Sequence, residues 1–358
     1  MKKILYVAIK YHEGNPKLGY SFEHSNFYDS LENMAALGYK TVYFPIDEIM
    51  NRLGRARMNR LLRATAAKEK PDLCFFSLIA DEVGKETLSS LTNGGHPTLS
   101  WFGDDSWRFD SFTRLYAPHF SWVVTTDPRA REKYLQIGCS NVIYLPSAAN
   151  PHIFKPVLSD KPLDVSFIGS WNKERGKIVK AIQLSGVNIV VRGSGWPAGR
   201  ASPEELVEII SKSKISLSLN PSSFSVTPRS LARLFFKRIS YERSWRSIRP
   251  DFWNFLSNLR EWHQKSIPTL KAKTFEIPAC RTLTLTQLVP ELENCYQLGQ
   301  EIVIYRDTPD LIEKIKYYLG HDQERESISE AGYLRTLKDH TYEKRFKDIF
   351  KKINLSGH

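Results

Sequence analysis

The sequence predicts an α/β protein made of two successive doubly wound domains, and three observations carry that expectation. At 358 residues the chain is too long for one ordinary hydrophobic core. Strand and helix signals alternate through residues 1–150, and the alternation starts again after residue 162. Between the two, "SAANPHIFKPVLSDKP" has prolines at 151, 156 and 162 and little periodicity, so 151–162 reads as the linker.

The first domain opens with the strand "KILYVAI" and the helix "SNFYDSLENMAALG", which closes at Gly38 as a C-terminal cap. The strand "KTVYFPI" and a basic helix, "NRLGRARMNRLLRATAAKE", follow. Then come "DLCFFSLIA" (strand), "EVGKETLSSLTN" (helix), "PTLSWFG" and "FSWVVTT" (strands), "PRAREKYLQIG" (helix) and "NVIYLP" (strand). The second domain, 163–325, begins with strand "LDVSFIG", helix "KERGKIVKAIQLSG" and strand "VNIVVRG". The next helix, "SPEELVEIISKSK", starts on a Ser cap with acids in its first turn, and the strand "ISLSLN" follows it. Residues 226–266 break the rhythm with a basic, aromatic stretch that reads as a helical insertion. A short helix, "TFEIPAC", two strands, "RTLTLT" and "EIVIY", and the helix "TPDLIEKIKYYLG" complete the domain, and two helices occupy 326–358.

Composition narrows the function. Apolar and charged fractions are those of a globular protein. The net charge of +12 favours an anionic partner: nucleotide, phosphate, lipid headgroup or nucleic acid. Cys74, Cys139, Cys280 and Cys295 form no C-x-x-C pair and read as reduced structural thiols, which argues against zinc. "MKKILYVAIKYHEG" runs from a short apolar stretch into charges without a small-residue cleavage site, so it reads as a strand rather than a leader. No segment has the length to span a bilayer, and a cytoplasmic location is expected.

The candidate site residues sit at strand ends, where doubly wound sheets bind ligands. Glu276 places a carboxylate between Phe275 and Ile277 at the edge of a core, which is costly unless something binds it. It fits either an acid at a helix start or a grip on a diol. In "FIGSWNKERGKIVKAI" a strand ends at Gly169 and Ser170, and a loop with Lys173, Arg175 and Lys177 leads into a helix, a layout that suits a pyrophosphate. It is neither a G-x-G-x-x-G nor a Walker loop. "VVRGSGW" repeats the pattern with Gly193 and Ser194, and "LSLNPSS" ends a strand at Asn220. In the first domain, "WFGDDSWRFD" sets Asp104 and Asp105 at a strand end with Trp107 and Arg108 behind them. Adjacent acids there serve as a base, as a metal ligand or as a solvated turn capping the next helix. "KLGYSFEHSNF" offers Gly19, Glu23 and His24 near a helix start.

Taken together these residues resemble the CgeB-like glycosyltransferases, a group named for a spore-maturation protein. The likeness is carried by "KAKTFEIPAC", "GQEIVIYRDTPDLIEKI" and "HTYEKRF" in the carboxyl segment, and by "SFEHSNFYDSL", "WFGDDSWRFDSF" and "VVTTDPRAREKYLQIG" earlier. It covers most of the chain outside about 221–266. The resemblance implies a GT-B fold: two Rossmann-like domains facing a cleft, the amino-terminal one (1–150) for the acceptor and the other for a nucleotide-sugar, with the last helix crossing back. It implies a UDP- or TDP-sugar donor as substrate, no cofactor and no obligatory metal. Glu276 then matches the acid that binds ribose hydroxyls. Gly169, Ser170, Arg175 and Lys177 fall on the diphosphate loop, Gly193 and Ser194 beside the base, and Asn220, Lys273, Thr274 and Phe275 around the donor. Asp104, Asp105 and His24 take the catalytic positions, with Gly19, Glu23, Trp107 and Arg108 on the acceptor side.

Three positions depart from the pattern. Lys273 replaces an Arg and loses its fork, Arg281 replaces a Gly, and Pro268 stands where retaining synthases of glycogen and sucrose carry a second Glu. The acceptor reads as a glycan, a lipid-linked hydroxyl or a nucleic acid. The stretch 226–266 reads as aromatics buried under Arg stems, as a peripheral membrane contact or as a nucleic-acid contact. A nucleic-acid-directed glycosyltransferase, a nucleotide-sugar epimerase and a non-catalytic sugar-nucleotide-binding protein are the alternative readings.

Overall fold

The computed structural model describes residues 1–220, 228–241, 244–265 and 267–355. The chain divides into two compact units. The first comprises Met1–Pro146, Phe224–Ile267 and Arg345–His358; the second, Ser147–Ser223 and Pro268–Lys344.

The first unit is built on a parallel sheet of six strands: β1 (Lys2–Ala8), β2 (Tyr39–Pro45), β3 (Leu73–Ser77), β4 (Thr98–Phe102), β5 (Trp122–Thr125) and β6 (Val142–Tyr144). Their spatial order is β2-β1-β3-β4-β5-β6. Ile4 through Ala8 and all of β3 and β4 are buried, the continuous apolar run expected of strands covered on both faces. On one face Leu5, Val7 and Phe76 pack with Leu62 and Leu88 from the helices Arg55–Glu69 and Lys85–Asn93. On the other, Phe27 and Phe75 meet Phe346 of the last helix, Tyr342–Lys352, at 5.9 and 5.6 Å between ring centres. That helix end is held further by Tyr39, which stacks near Phe350 and donates its hydroxyl to the Leu355 carbonyl at 3.2 Å.

The second unit carries a parallel sheet of β7 (Leu163–Ile168), β8 (Ile189–Arg192), β9 (Ser213–Ser218), β12 (Leu283–Gln287) and β13 (Val303–Tyr305), ordered β13-β12-β9-β7-β8. The strands alternate their cores. Phe167, Leu217 and Leu285 face the helices Lys173–Leu184 and Thr308–Gly320, whereas Ile168 lies with Phe275, Ile277 and Tyr296 on the opposite side. In both sheets the chain's first strand lies between its second and third, so each has a topological switch point: β1/β3 in one unit, β7/β9 in the other.

The sequence-based expectations differ from the structure in two places. Ser147 onward belongs to the second unit: Ala148, Ala149 and Asn150 are fully buried, Ala149 bridges to Thr341 and Phe154 enters the core, so the proline-rich stretch starts as a structural wall. Residues 226–266, expected as a helical insertion in the second domain, fall within Phe224–Ile267, which groups with the first unit. They form an antiparallel hairpin, β10 (Phe236–Tyr241) and β11 (Ser244–Pro250), and then the helix Phe255–Gln264. Aromatic and β-branched residues at 236, 239, 241, 245 and 248 favour that hairpin, and a reading by basic charge alone overlooks them. Among the basic and aromatic residues of this stretch, Arg243 and the side chains of Arg229, Lys237, Arg238, Tyr241, Trp245, Arg246 and Arg249 lie outside the described residues. Among the described residues no helix is long and apolar enough to cross a membrane, and all four cysteines are free thiols.

Candidate functional site

In the second unit the predicted residues gather at the carboxyl ends of β7, β8 and β9. Gly169 continues β7 and Gly193 continues β8, and the two backbones touch. A Cβ at Gly193 would lie 2.6 Å from the Gly169 carbonyl carbon and closer still to its oxygen, and φ at Gly193 is +142°. Only glycine serves at such a contact. The Gly169 carbonyl accepts Trp196 Nε1 at 2.9 Å, and Trp171 N donates to the Ser194 carbonyl at 2.8 Å, so the two turns are sewn together. The helix Lys173–Leu184 starts just beyond, with Asn172 Oδ1 accepting from Arg175 N at 2.8 Å.

Arg175 takes a different part from the one expected. Its Nη1 donates to the Ser170 carbonyl at 2.8 Å and its Nη2 to the Leu219 carbonyl at 3.0 Å, so the guanidinium braces the ends of β7 and β9 across the switch point. Burial lowers its pKa from the ordinary value, and its Nε has no hydrogen-bond partner. Two donor groups are therefore already committed to backbone, and the residue positions the loop. Lys177 points along the helix to Glu174, 2.9 Å away and exposed. Asn220 is buried and donates to Thr286 Oγ1 at 3.2 Å, tying β9 to β12.

Glu276 lies in the helix Lys273–Ala279. It is 4% exposed and pairs with Lys273 Nζ at 2.6 Å. Lys273 also sits over the Phe154 ring at 5.3 Å. Thr274 is buried and shares a hydrogen bond with Ser218 Oγ at 3.1 Å, which fixes this helix to the end of β9. Phe275, expected near the donor, is instead core: it has no exposed surface and packs against Tyr296 and His340 at 5.8 and 5.2 Å. On a helix, its side chain points away from that of its neighbour Glu276, so the two cannot share one pocket.

In the first unit the adjacent acids separate. Asp105 is fully buried; it accepts from Tyr134 Oη at 2.6 Å and Thr113 Oγ1 at 2.7 Å, and burial pushes its pKa up to about 7. A carboxyl with no exposed surface cannot meet an acceptor, so the catalytic expectation for Asp105 gives way to a role in holding the turn. Asp104 is exposed and accepts Trp107 Nε1 at 3.2 Å. Arg108 donates to the Ile79 carbonyl at 2.8 Å and lies 4.3 Å from the Phe112 ring. Glu23 is brought close to Asp104: burial raises its pKa to about 7, and the Asp104 charge adds to the rise. His24 stacks on Tyr20 and Tyr28 at 4.3 and 5.1 Å, and burial lowers its pKa. Gly19 turns the preceding loop at φ +77° with open space where a Cβ would be.

Sequence reasoning missed Trp171 and Tyr305. Trp171 is 51% exposed over the glycine turns, directly after the Gly-Ser that ends β7, and that position was the available signal. Tyr305 ends β13; its hydroxyl is buried without a hydrogen-bond partner, and burial raises its pKa, so it stays neutral. Among the described residues no three His, Cys, Asp or Glu side chains gather where they could hold a metal ion.

Known proteins resemble the chain in sequence or in fold. A family model described as glycosyl transferase-like matches residues 235–351. Spore protein CgeB of Bacillus subtilis is 22% identical over 276 residues, covering 76% of this chain and 80% of that protein. The chain resembles this spore protein over most of its length. Among solved structures, sucrose-phosphate synthase from Thermosynechococcus elongatus superposes with a TM-score of 0.60 at 11% identity, covering 99% of both chains. Alr3699/HepE of Anabaena, solved in complex with UDP, gives 0.56 at 9% identity over 99% of this chain and 100% of that one. AviGT4, a glycosyltransferase involved in avilamycin A biosynthesis, gives 0.58 at 10% over 99% and 98%. The fold is that of the GT-B glycosyltransferases.

Proposed function

We propose that this CgeB-like chain moves a sugar from a UDP- or TDP-linked donor to a hydroxyl acceptor, without a catalytic metal. The observation that carries the reading is Glu276, a carboxylate 4% exposed and paired with Lys273, on the helix that Thr274 fixes to the end of β9. Lys273 occupies one of about four acceptor directions on that carboxylate, which leaves room for both hydroxyls of a ribose. The turns at Gly169–Ser170 and Gly193 bring the ends of β7 and β8 together, and the start of the twelve-residue helix Lys173–Leu184 beside them offers amides and positive dipole to a diphosphate. Lys273 supplies a cation for the leaving diphosphate, and Trp171 offers a flat face to the base. In the first unit, Asp104 takes the role of base, and Glu23, poised near neutrality, holds or releases a proton beside it. Anabaena Alr3699/HepE, solved with UDP-glucose, supports the choice of donor class.

Calorimetric titration of the full chain with UDP, UDP-glucose and TDP-glucose tests this. Binding is expected, and Glu276→Ala should weaken it by about 10- to 100-fold, the loss of charge-assisted hydrogen bonds worth roughly 1.5–3 kcal/mol. Absence of binding to every nucleotide, or an unchanged affinity in Glu276→Ala, would remove the basis for the assignment.

A further inference from the structure

The helix Phe255–Gln264 is amphipathic in the wrong sense for a free surface. Its inward residues are polar: Asn258 is 2% and Glu261 7% exposed. Asn258 Nδ2 donates to the Leu234 carbonyl at 2.9 Å and to Asp251 Oδ2 at 3.0 Å, and Glu261 pairs with Lys265 at 3.1 Å. The outward positions include large apolar side chains beside Arg260 and His263. Leu256 is 68% exposed and Leu259 37%, continued by Trp253 at 99%, Phe252 at 57% and Ile248 at 68%. A surface helix ordinarily buries its apolar stripe and wets its polar one, and a cluster of large apolar side chains left in water marks a contact surface.

Charge selects the occupant. Residues 226–266 hold nine lysines and arginines against three acids, a net +6 out of the whole chain's +12. Two of those acids, Asp251 and Glu261, are buried and engaged. A second copy would bring the same excess of positive charge against this one. A nucleic acid would use the aromatic ring of Trp253 but gain little from Leu256, Leu259 and Ile248, since single-strand binding rests on base stacking and phosphate contacts. An anionic bilayer satisfies both halves: aliphatic side chains and Trp enter the headgroup boundary while basic groups meet acidic lipids. We propose that this face docks the chain on an anionic membrane surface as a peripheral protein. The helix is anchored beside the acceptor-side acid, through Lys265 over the Trp107 ring at 4.1 Å and Gln264 to Asp110 at 3.4 Å. Docking would therefore hold Asp104 near the lipid plane, where hydroxyl acceptors borne by lipids are found. The docking itself is independent of the donor chemistry proposed above.

The test is flotation of the full chain with phosphatidylcholine vesicles prepared with and without phosphatidylglycerol. The chain should float with the anionic vesicles and not with the neutral ones, and added salt should release it. Trp253→Ser combined with Leu256→Ser should reduce partitioning by at least about tenfold, because each apolar side chain withdrawn from the interface is worth roughly a factor of ten. Both positions are solvent-exposed, so the melting temperature should stay unchanged and separate lost docking from lost fold. The proposal is overturned if the wild-type chain ignores anionic vesicles or if the double variant floats as well as wild type. It is equally overturned if the substitutions abolish self-association seen by light scattering, or retention of a DNA fragment, while vesicles are not bound.

Discussion

Replacing Gly193 with alanine tests how tightly the turns that end β7 and β8 are joined. Two costs add at this position. A side chain at φ +142° is strained in any surroundings, costing about 1–2 kcal/mol. The new Cβ also falls 2.6 Å from the Gly169 carbonyl carbon, when real Cβ contacts essentially never come under 3.0 Å. Backbone is what it meets, so the ends of two strands must part, an overpacking cost of roughly 1–3 kcal/mol. Gly186 is the matched control: its φ is +85°, but nothing lies within 4 Å of its Cβ position, so Gly186→Ala bears the first cost alone. For a unit of about 150 residues each kcal/mol lowers the melting temperature by about 2–4 °C. Thermal unfolding followed by circular dichroism should then show a loss of roughly 4–20 °C for Gly193→Ala and about 2–8 °C for Gly186→Ala. The Gly193 variant should also bind UDP more weakly at temperatures where it remains folded. Equal losses for the two substitutions would show that the turns are not in contact.

Asp104→Asn should lower turnover by about 10²- to 10⁴-fold while leaving nucleotide affinity intact, measured as kcat beside the binding constant; unchanged turnover would take the base assignment away from Asp104. Tyr134→Phe removes a hydroxyl donor from the buried Asp105 carboxyl and should cost about 1–3 kcal/mol of stability by denaturant titration, with no effect on donor affinity. Glu23, Glu82 and Asp105 are each raised by burial to about 7, so in the folded chain they hold protons that the unfolded chain has released. Their stabilising contribution is full below the ordinary carboxylate range and lost as pH climbs through 7. His24, lowered by burial, opposes them only below its ordinary value of 6.5. The melting temperature should therefore rise between pH 8.5 and pH 6.5, and a flat profile would contradict the burial of these carboxyls.

Much of this was legible in the sequence, for physical reasons. Both parallel sheets follow from apolar runs such as "DLCFFSLIA" and "LDVSFIG", and the glycine turns follow from their place at strand ends. What could not be read was which member of a neighbouring pair faces a site. Asp104 and Asp105 are equivalent as letters; their roles are set by Thr113 and Tyr134, eight and 29 residues further along. Phe275 looked like a site residue because it precedes Glu276, yet the helix turns it onto Tyr296 and His340. Arg175 looked like a phosphate fork, and only the position of the Leu219 carbonyl shows that the fork is taken. The 224–267 stretch was misread because its charge and aromatic content obscured a two-strand pattern and its place in the first unit.

The first unit is drawn from three separate lengths of chain and the second from two. On the ribosome, the opening 146 residues emerge long before Phe346 and Phe350, whose rings cover Phe75 and Tyr39. The nascent amino-terminal half must therefore wait with that aromatic face open while some two hundred residues are still being translated. A fragment ending near residue 146 would keep the same open face permanently, so a recombinant amino-terminal half should be recovered as aggregate unless residues 345–355 are supplied to it as a separate peptide.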